Sequence, residues 1–206
     1  FFFHITTFIS DKSKNMKRIF FFLIAVVSVQ LYGQVNFNDY FIDKTLRFDY
    51  IFAGNSSKTE VFPAGMRQEP TWGGSLTNLA DRFGYGNFRY RVYDLSSGKL
   101  IYSKGFCTLY QEWQTTAEAK KISRSFHEVA TFPFPKNKVK FVLEKRERNG
   151  LFTEMYETVI DPSDYFIRRE KPKDVAFSKI CGNTDPHKAL DIAVIAEGYT
   201  KDEMGK

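Results

Sequence analysis

Residues 85–116 read YGNFRYRVYDLSSGKLIYSKGFCTLYQEWQTT. Phe88, Tyr90 and Val92 share one face of an extended segment, and Asn87, Arg89, Arg91 and Tyr93 share the other. A period of two is the signature of a β-strand, because successive side chains leave opposite sides of the backbone. Asp94-Leu95-Ser96-Ser97-Gly98 supplies a tight turn, with Gly98 free to take a positive φ and Asp94 or Ser96 able to accept from nearby amides. Lys99 to Ser103 then returns as the partner strand, and an aromatic-rich segment follows as far as Glu112-Trp113.

The same texture extends in both directions. Leu46, Phe48, Tyr50 and Phe52 line one face of a strand expected over residues 45–54. Thr59 to Phe62 reads as a short returning strand ending before Pro63, and residues 64–84 as an irregular loop with a helical turn at Leu76 to Asp81. Thr115 and Glu118 have capping-box spacing, which places a helical turn over Ala117 to Lys120. Further strands are expected from Ser123 to Phe132, around Val139-Phe141-Leu143, and from Leu151 to Ile160. Asn149-Gly150 forms the turn between the last two. Short strands at regular spacing predict a mainly β fold, an antiparallel β-sandwich of Ig-like or jelly-roll-like type over residues 36–167.

Composition agrees with such a fold. Hydrophobic residues make up 43% of the 206, enough for a packed core. The 17% aromatic share, with 22 Phe and 11 Tyr, suits flat rings covering pleated sheets. The formal charge is +6, and Lys12, Lys14, Lys17 and Arg18 against Asp11 account for half of it within the first 33 residues. What is left forms no Lys/Arg stripe on one element, so a nucleic-acid partner is not expected.

The ends of the chain differ from its middle. Residues 1–15 precede Met16 and are expected to be upstream sequence outside the mature protein. Residues 16–33 have the layout of a secretory signal peptide: Lys17-Arg18, an apolar run from Ile19 to Val29, then Gly33. That run is shorter than the roughly 20 residues a membrane span needs, so export is expected with no stable membrane span. Arg168 to Asp174 reads as the start of a charged, solvated linker over residues 168–188. Leu190 to Ala196 is a near-continuous apolar run, as expected of a strand buried on both faces in an α/β sheet. Thr200 and Glu203 again have capping-box spacing and should start a helix, so residues 189–206 read as the truncated start of an α/β domain.

Candidate chemistry is sparse. His127-Glu128-Val129-Ala130-Thr131 approaches the zinc-peptidase pattern, but that pattern needs His at i and i+4 on one helical face, and here the second position is Thr131 in a strand context. His4 and His187 join no cluster. Cys107 and Cys181 are expected to be unpaired, buried thiols, although export permits a disulfide. Glu112 beside Trp113 could serve a sugar site, the indole stacking on the sugar; a structural corner, with Trp113 in the core and Glu112 bonding backbone, is at least as good a reading. The same choice applies to Trp72. No catalytic, cofactor-binding or metal-binding residue is assigned.

Several strings together resemble one family: Arg91-Val92-Tyr93-Asp94, Gly98 to Ser103, Gly105-Phe106, Glu112-Trp113-Gln114-Thr115-Thr116, Pro133 to Lys136, Ile160-Asp161-Pro162, and Asp191 to Thr200. They are similar to exported bacterial zinc metallopeptidases of the IgA-peptidase family, in which a β-sandwich precedes the catalytic domain. The resemblance implies that the zinc of the full-length protein is held by a His-Glu-x-x-His helix downstream of Ala196-Glu197-Gly198-Tyr199-Thr200, beyond Lys206. It therefore carries no ligand onto any residue of this chain and implies that these residues are inactive alone. It also implies two partners: the protein's own catalytic domain, and a protein or peptide substrate. The alternative, from a different class, is a cell-surface module that binds glycan or protein without catalysis, for which exposed Trp72 and Trp113 would speak.

Overall fold

Strand β1 (Phe41–Gly54) is the spine of one sheet. Its side chains Leu46, Phe48, Tyr50 and Phe52 point inward and are fully buried, which is the face the alternation predicts. It pairs antiparallel with β2 (Thr59–Glu69) on one side and β5 (Arg124–Pro135) on the other. The second sheet has the order β4-β3-β6-β7, built from β3 (Phe88–Asp94), β4 (Leu100–Phe106), β6 (Val139–Arg146) and β7 (Phe152–Ile160), all antiparallel. This computed structural model describes residues 35–172, 179–182, 185, 187–189, 192–195, 198, 200 and 203. The leader expected over residues 16–33, residues 1–15 and much of the segment after 172 lie outside the described residues.

The two sheets meet through aromatic rings. Phe48 of β1 meets Phe141 of β6 edge-on at 5.1 Å, and Phe52 meets Phe88 of β3 at 5.0 Å. Tyr90 stacks on Phe141, and Tyr102 packs on Phe132. Rings of this size bury much apolar surface each and add edge and offset contacts beyond area alone. The aromatic richness of the sequence is thus spent between the sheets.

The connections sort to two ends. At one end lie the β1–β2 turn, the loop before β3, the segment from β4 to β5 and the β6–β7 turn; Tyr110 Oη, which donates to Lys58 O at 3.0 Å, ties the sheets together there. The segment from β4 to β5 holds helix α2 (Leu109–Gln114), capped by Thr108 Oγ1, which accepts from Tyr110 N. At the other end lie helix α1 (Phe37–Tyr40), the β3–β4 turn, the β5–β6 turn and the chain leaving β7. There Lys136 N donates to Tyr40 O, and Leu95 N to Lys138 O. The sandwich's chain enters and leaves at this second end.

Five local expectations are corrected. β2 does not stop at Pro63 but continues to Glu69: a bulge sets Asp49 opposite Gly65 and Tyr50 opposite Pro63, so the strand passes over its proline. β5 likewise runs through Pro133 and Pro135, which an edge strand tolerates because the missing N–H faces no neighbour. There is no helical turn at residues 76–81; Asp81 N donates to Ser103 O and Ser103 N to Leu79 O, so this backbone runs along β4 instead of closing on itself. Thr115 ends α2 and does not cap a following helix. Finally, Arg168–Arg169 is not a solvated linker but strand β8, parallel to β2 at Arg67 and Gln68.

The apolar run after residue 189 also departs from expectation. Its described residues 192–195 form no strand, and Ile192, Val194 and Ile195 are exposed. An apolar run becomes a doubly buried strand only when strands flank it and helices cover it, and no described element reaches this one. At the next signal, Thr200 N and Oγ1 both donate to Glu203 Oε2, so the reach-back half of the expected capping box is made.

Candidate functional site

Strand alternation takes the zinc-like string apart. His127 and Glu128 are neighbours on β5, so they leave opposite faces of the sheet. His127 points outward, with Nε2 4.0 Å from Asp49 Oδ1. Thr131 stands four residues on, about 13 Å along an extended chain, and its carbonyl accepts from Tyr90 Oη at 2.7 Å. Among the described residues no group of three or more His, Cys, Asp or Glu side chains is placed to hold a metal. The one carboxylate beside His127 is already taken up by two arginines.

That carboxylate belongs to a device the two sheets share. On the outer face of the first sheet, Asp49 is 3% exposed and accepts from Arg47 Nε at 2.8 Å and Arg67 Nε at 3.1 Å. On the outer face of the second, Glu144 is equally buried and takes Arg89 and Arg91, both from the adjacent β3. Each buried anion is held by two guanidinium groups, the condition under which a buried charge is tolerated. Arg89 and Arg146 also lie over the Phe152 ring at 4.0 and 4.3 Å. These are structural clamps: neither pairs a nucleophile with a base, and both carboxylates are saturated. The sequence shows Arg89, Arg91 and Glu144 on outward positions of their strands; only the β3–β6 register, which sets Arg89 opposite Glu144, reveals the clamp.

The candidate sugar-binding aromatics prove to be core. Trp72 is 8% exposed, meets Tyr102 edge-on at 5.9 Å and donates from Nε1 to Ser75 O. Trp113 is buried to the same degree against Tyr110 and Phe126, and its Nε1 donates to Glu118 Oε2 at 2.8 Å. Glu118, expected in a capping box, is thus the indole's acceptor and also binds Arg124. Glu112 is exposed, and it is its carbonyl that accepts, from Thr115 N and Oγ1. Cys107 and Cys181 are free, as expected, but exposed and not buried. Cys107 lies between β4 and the inward Thr108, so alternation turns it out. His187 Nδ1 lies 3.0 Å from Gly74 O beside the Trp72 loop and joins no cluster.

Two inward groups carry the strongest electrostatic perturbation. Burial pushes the Tyr50 hydroxyl far above the usual phenol range, and that hydroxyl has no hydrogen-bond partner among the described residues. Glu128 lies on the same side of the sheet. Its carboxyl is raised by burial, with Thr108 and His127 pulling the other way. A shallow depression of about 420 Å³ opens on the outer face of the second sheet, over Arg91, Tyr93, Lys140 and Glu154. Its cations are engaged, Arg91 by Glu144 and Lys140 by Glu157 at 3.1 Å.

What the geometry defines is an antiparallel two-sheet module whose charged groups brace the sheets and form no reaction centre among the described residues. The family model described as Peptidase M64 N-terminus matches residues 36–157, more than half of the chain and nearly all of the sandwich. The chain belongs to that family, as the N-terminal part of a peptidase M64 protein. Among curated proteins none matches. No helix of the described residues is long and apolar enough to cross a membrane.

Proposed function

We propose that this chain is the N-terminal accessory region of a secreted zinc metallopeptidase, its sandwich standing beside a catalytic domain that hydrolyses peptide bonds. The observation that carries the reading is the family match across residues 36–157. Zinc belongs to the family's catalytic part in this proposal. The described residues do not fit the ion, since His127 stands alone on its strand and its neighbour Asp49 is saturated by Arg47 and Arg67. Export rests on the leader-like residues 16–33. The sandwich would support the catalytic domain or help present a protein or peptide substrate. The glycan-binding alternative is weakened, because Trp72 and Trp113 are both buried.

The test is to read the gene past Lys206 and to express both forms. A His-Glu-x-x-His helix downstream, with chelator-sensitive peptide hydrolysis by the longer protein and none by this chain, supports the proposal. A reading frame without that motif, or a longer protein with no hydrolytic activity at any zinc concentration, overturns it.

A further inference from the structure

The end of the sandwich remote from both chain connections carries a cluster of apolar side chains that nothing covers among the described residues. Phe83 and Tyr85 are 76% and 75% exposed and lie ring on ring, 5.7 Å apart and within 5° of parallel. Leu151 in the β6–β7 turn and Leu109 at the start of α2 are exposed to 66% and 67%. They come from three separate loops of one end: Arg146 joins the first two by donating to the carbonyls of Gly84, Gly86 and Gly150, and Asn87 Nδ2 donates to Gln111 Oε1 of α2 at 2.7 Å. The Phe83–Tyr85 loop is held down as well as tied. A Cβ on Gly105 would stand 1.9 Å from Tyr85 O, and one on Gly86 2.6 Å from the Phe106 backbone. Aromatic rings on a braced loop are exposed by construction, not by fraying.

The charge around them has one sign. Arg82, Lys104 and Arg148 are exposed and make no ion pair among the described residues. The two nearby acids are engaged inside their own loops: Asp81 Oδ1 accepts from Phe83 N and Gly84 N, and Glu147 Oε1 accepts from the Thr153 hydroxyl. Apolar tips ringed by free cations match the interface of an anionic bilayer, where rings and Leu enter the acyl boundary and Lys/Arg stay with the headgroups. The side chains stand proud instead of lining a cleft, so no matched pocket in a partner is required. The chain leaves from the opposite end, so the surface also lies away from where the downstream segment departs.

We propose that this end docks peripherally on an anionic lipid surface, with Phe83, Tyr85, Leu109 and Leu151 inserted and Arg82, Lys104 and Arg148 on the headgroups. The inference is independent of the peptidase reading. It is tested with Phe83→Trp in the full chain, an exposed indole beside the two buried ones, mixed with vesicles of phosphatidylglycerol or of phosphatidylcholine, each with and without brominated chains. The expected result is a blue-shifted emission that brominated phosphatidylglycerol quenches. Arg82→Glu/Arg148→Glu in the same background should bind about tenfold more weakly, and high salt should reverse binding. The apolar segment at residues 19–29 is common to both variants, so their difference isolates the loop end. An unchanged emission on phosphatidylglycerol overturns the proposal. So does an equal response to phosphatidylcholine, or a response to a soluble acidic protein or neutral polysaccharide with none to vesicles.

Discussion

Tyr50 and Tyr90 are chemically alike, lie in the same core and should respond oppositely to loss of a hydroxyl. Tyr90 Oη donates to Thr131 O at 2.7 Å, whereas Tyr50 Oη is buried without a partner among the described residues. A satisfied buried hydrogen bond contributes about 1 kcal/mol net, while an unsatisfied hydroxyl carries its desolvation cost uncompensated. Tyr90→Phe should therefore lower the unfolding free energy by about 1 kcal/mol, and Tyr50→Phe should leave it unchanged or raise it, as read by urea denaturation. Glu128 gives the pH counterpart. Its carboxyl is raised by burial, so the folded state binds its proton more tightly than the unfolded chain does. The favourable term is fully present below the unfolded pKa, and the charged form opposes folding once pH passes the folded one. Glu128→Gln should accordingly stabilise the protein at neutral pH, with the gain vanishing in acid. A melting-temperature difference from wild type that does not change with pH would show that the carboxyl sits in water. Trp113→Ala should cost about 3–5 kcal/mol, because a buried indole is removed together with its bond to Glu118.

At the scale of elements, alternation identifies faces reliably and proline misleads. Leu46, Phe48, Tyr50 and Phe52 read as one inward face and are one. The hairpin of β3 and β4 closes as its turn residues imply: Asp94 Oδ2 accepts from Ser96 Oγ, Ser97 N and Ser97 Oγ, and Gly98 takes φ 67°. Pro63, Pro133 and Pro135 look like strand stops only if strand position is ignored. A proline ends a central strand but not an edge strand or a bulge, and edge position is a property of the whole sheet. The Asp49 and Glu144 clamps were half legible for the same reason, since facing outward is local information and facing each other is not. The braced loops escaped because close backbone approach leaves only a glycine as its trace. Gly105 has an ordinary φ yet no space for a side chain, so Gly105→Ala must displace the Tyr85 carbonyl. We expect a loss of about 1–3 kcal/mol, together with faster amide exchange in residues 83–86. Alanine at Gly73, where a Cβ meets nothing within 4 Å, serves as the neutral control.

For the whole molecule, the question is whether two sheets that share few backbone hydrogen bonds behave as one folding unit. The hydrogen-bonded ladders run within each sheet, while the bonding between sheets is mainly packing: Phe48 on Phe141, Phe52 on Phe88, Tyr102 on Phe132. Neither sheet alone could keep its apolar face from water, so burial should couple them into a single transition. The two indoles allow the test, because they report on different sheets: Trp72 rests on Tyr102 of β4, and Trp113 on Phe126 of β5. With Trp113→Phe leaving the first reporter and Trp72→Phe the second, intrinsic fluorescence and far-ultraviolet circular dichroism should give coincident urea midpoints within each protein. Phe141→Ala, which removes the ring at the centre of the inter-sheet contact, should lower stability by about 3–5 kcal/mol. In that background the two indole transitions should move together, although Phe141 itself belongs to only one sheet. Separate midpoints would mean that each sheet holds its own residual core. The aromatic seam would then be a docking surface between two sub-domains, and the Arg clamps on the outer faces, more than the rings within, would account for the stability of each.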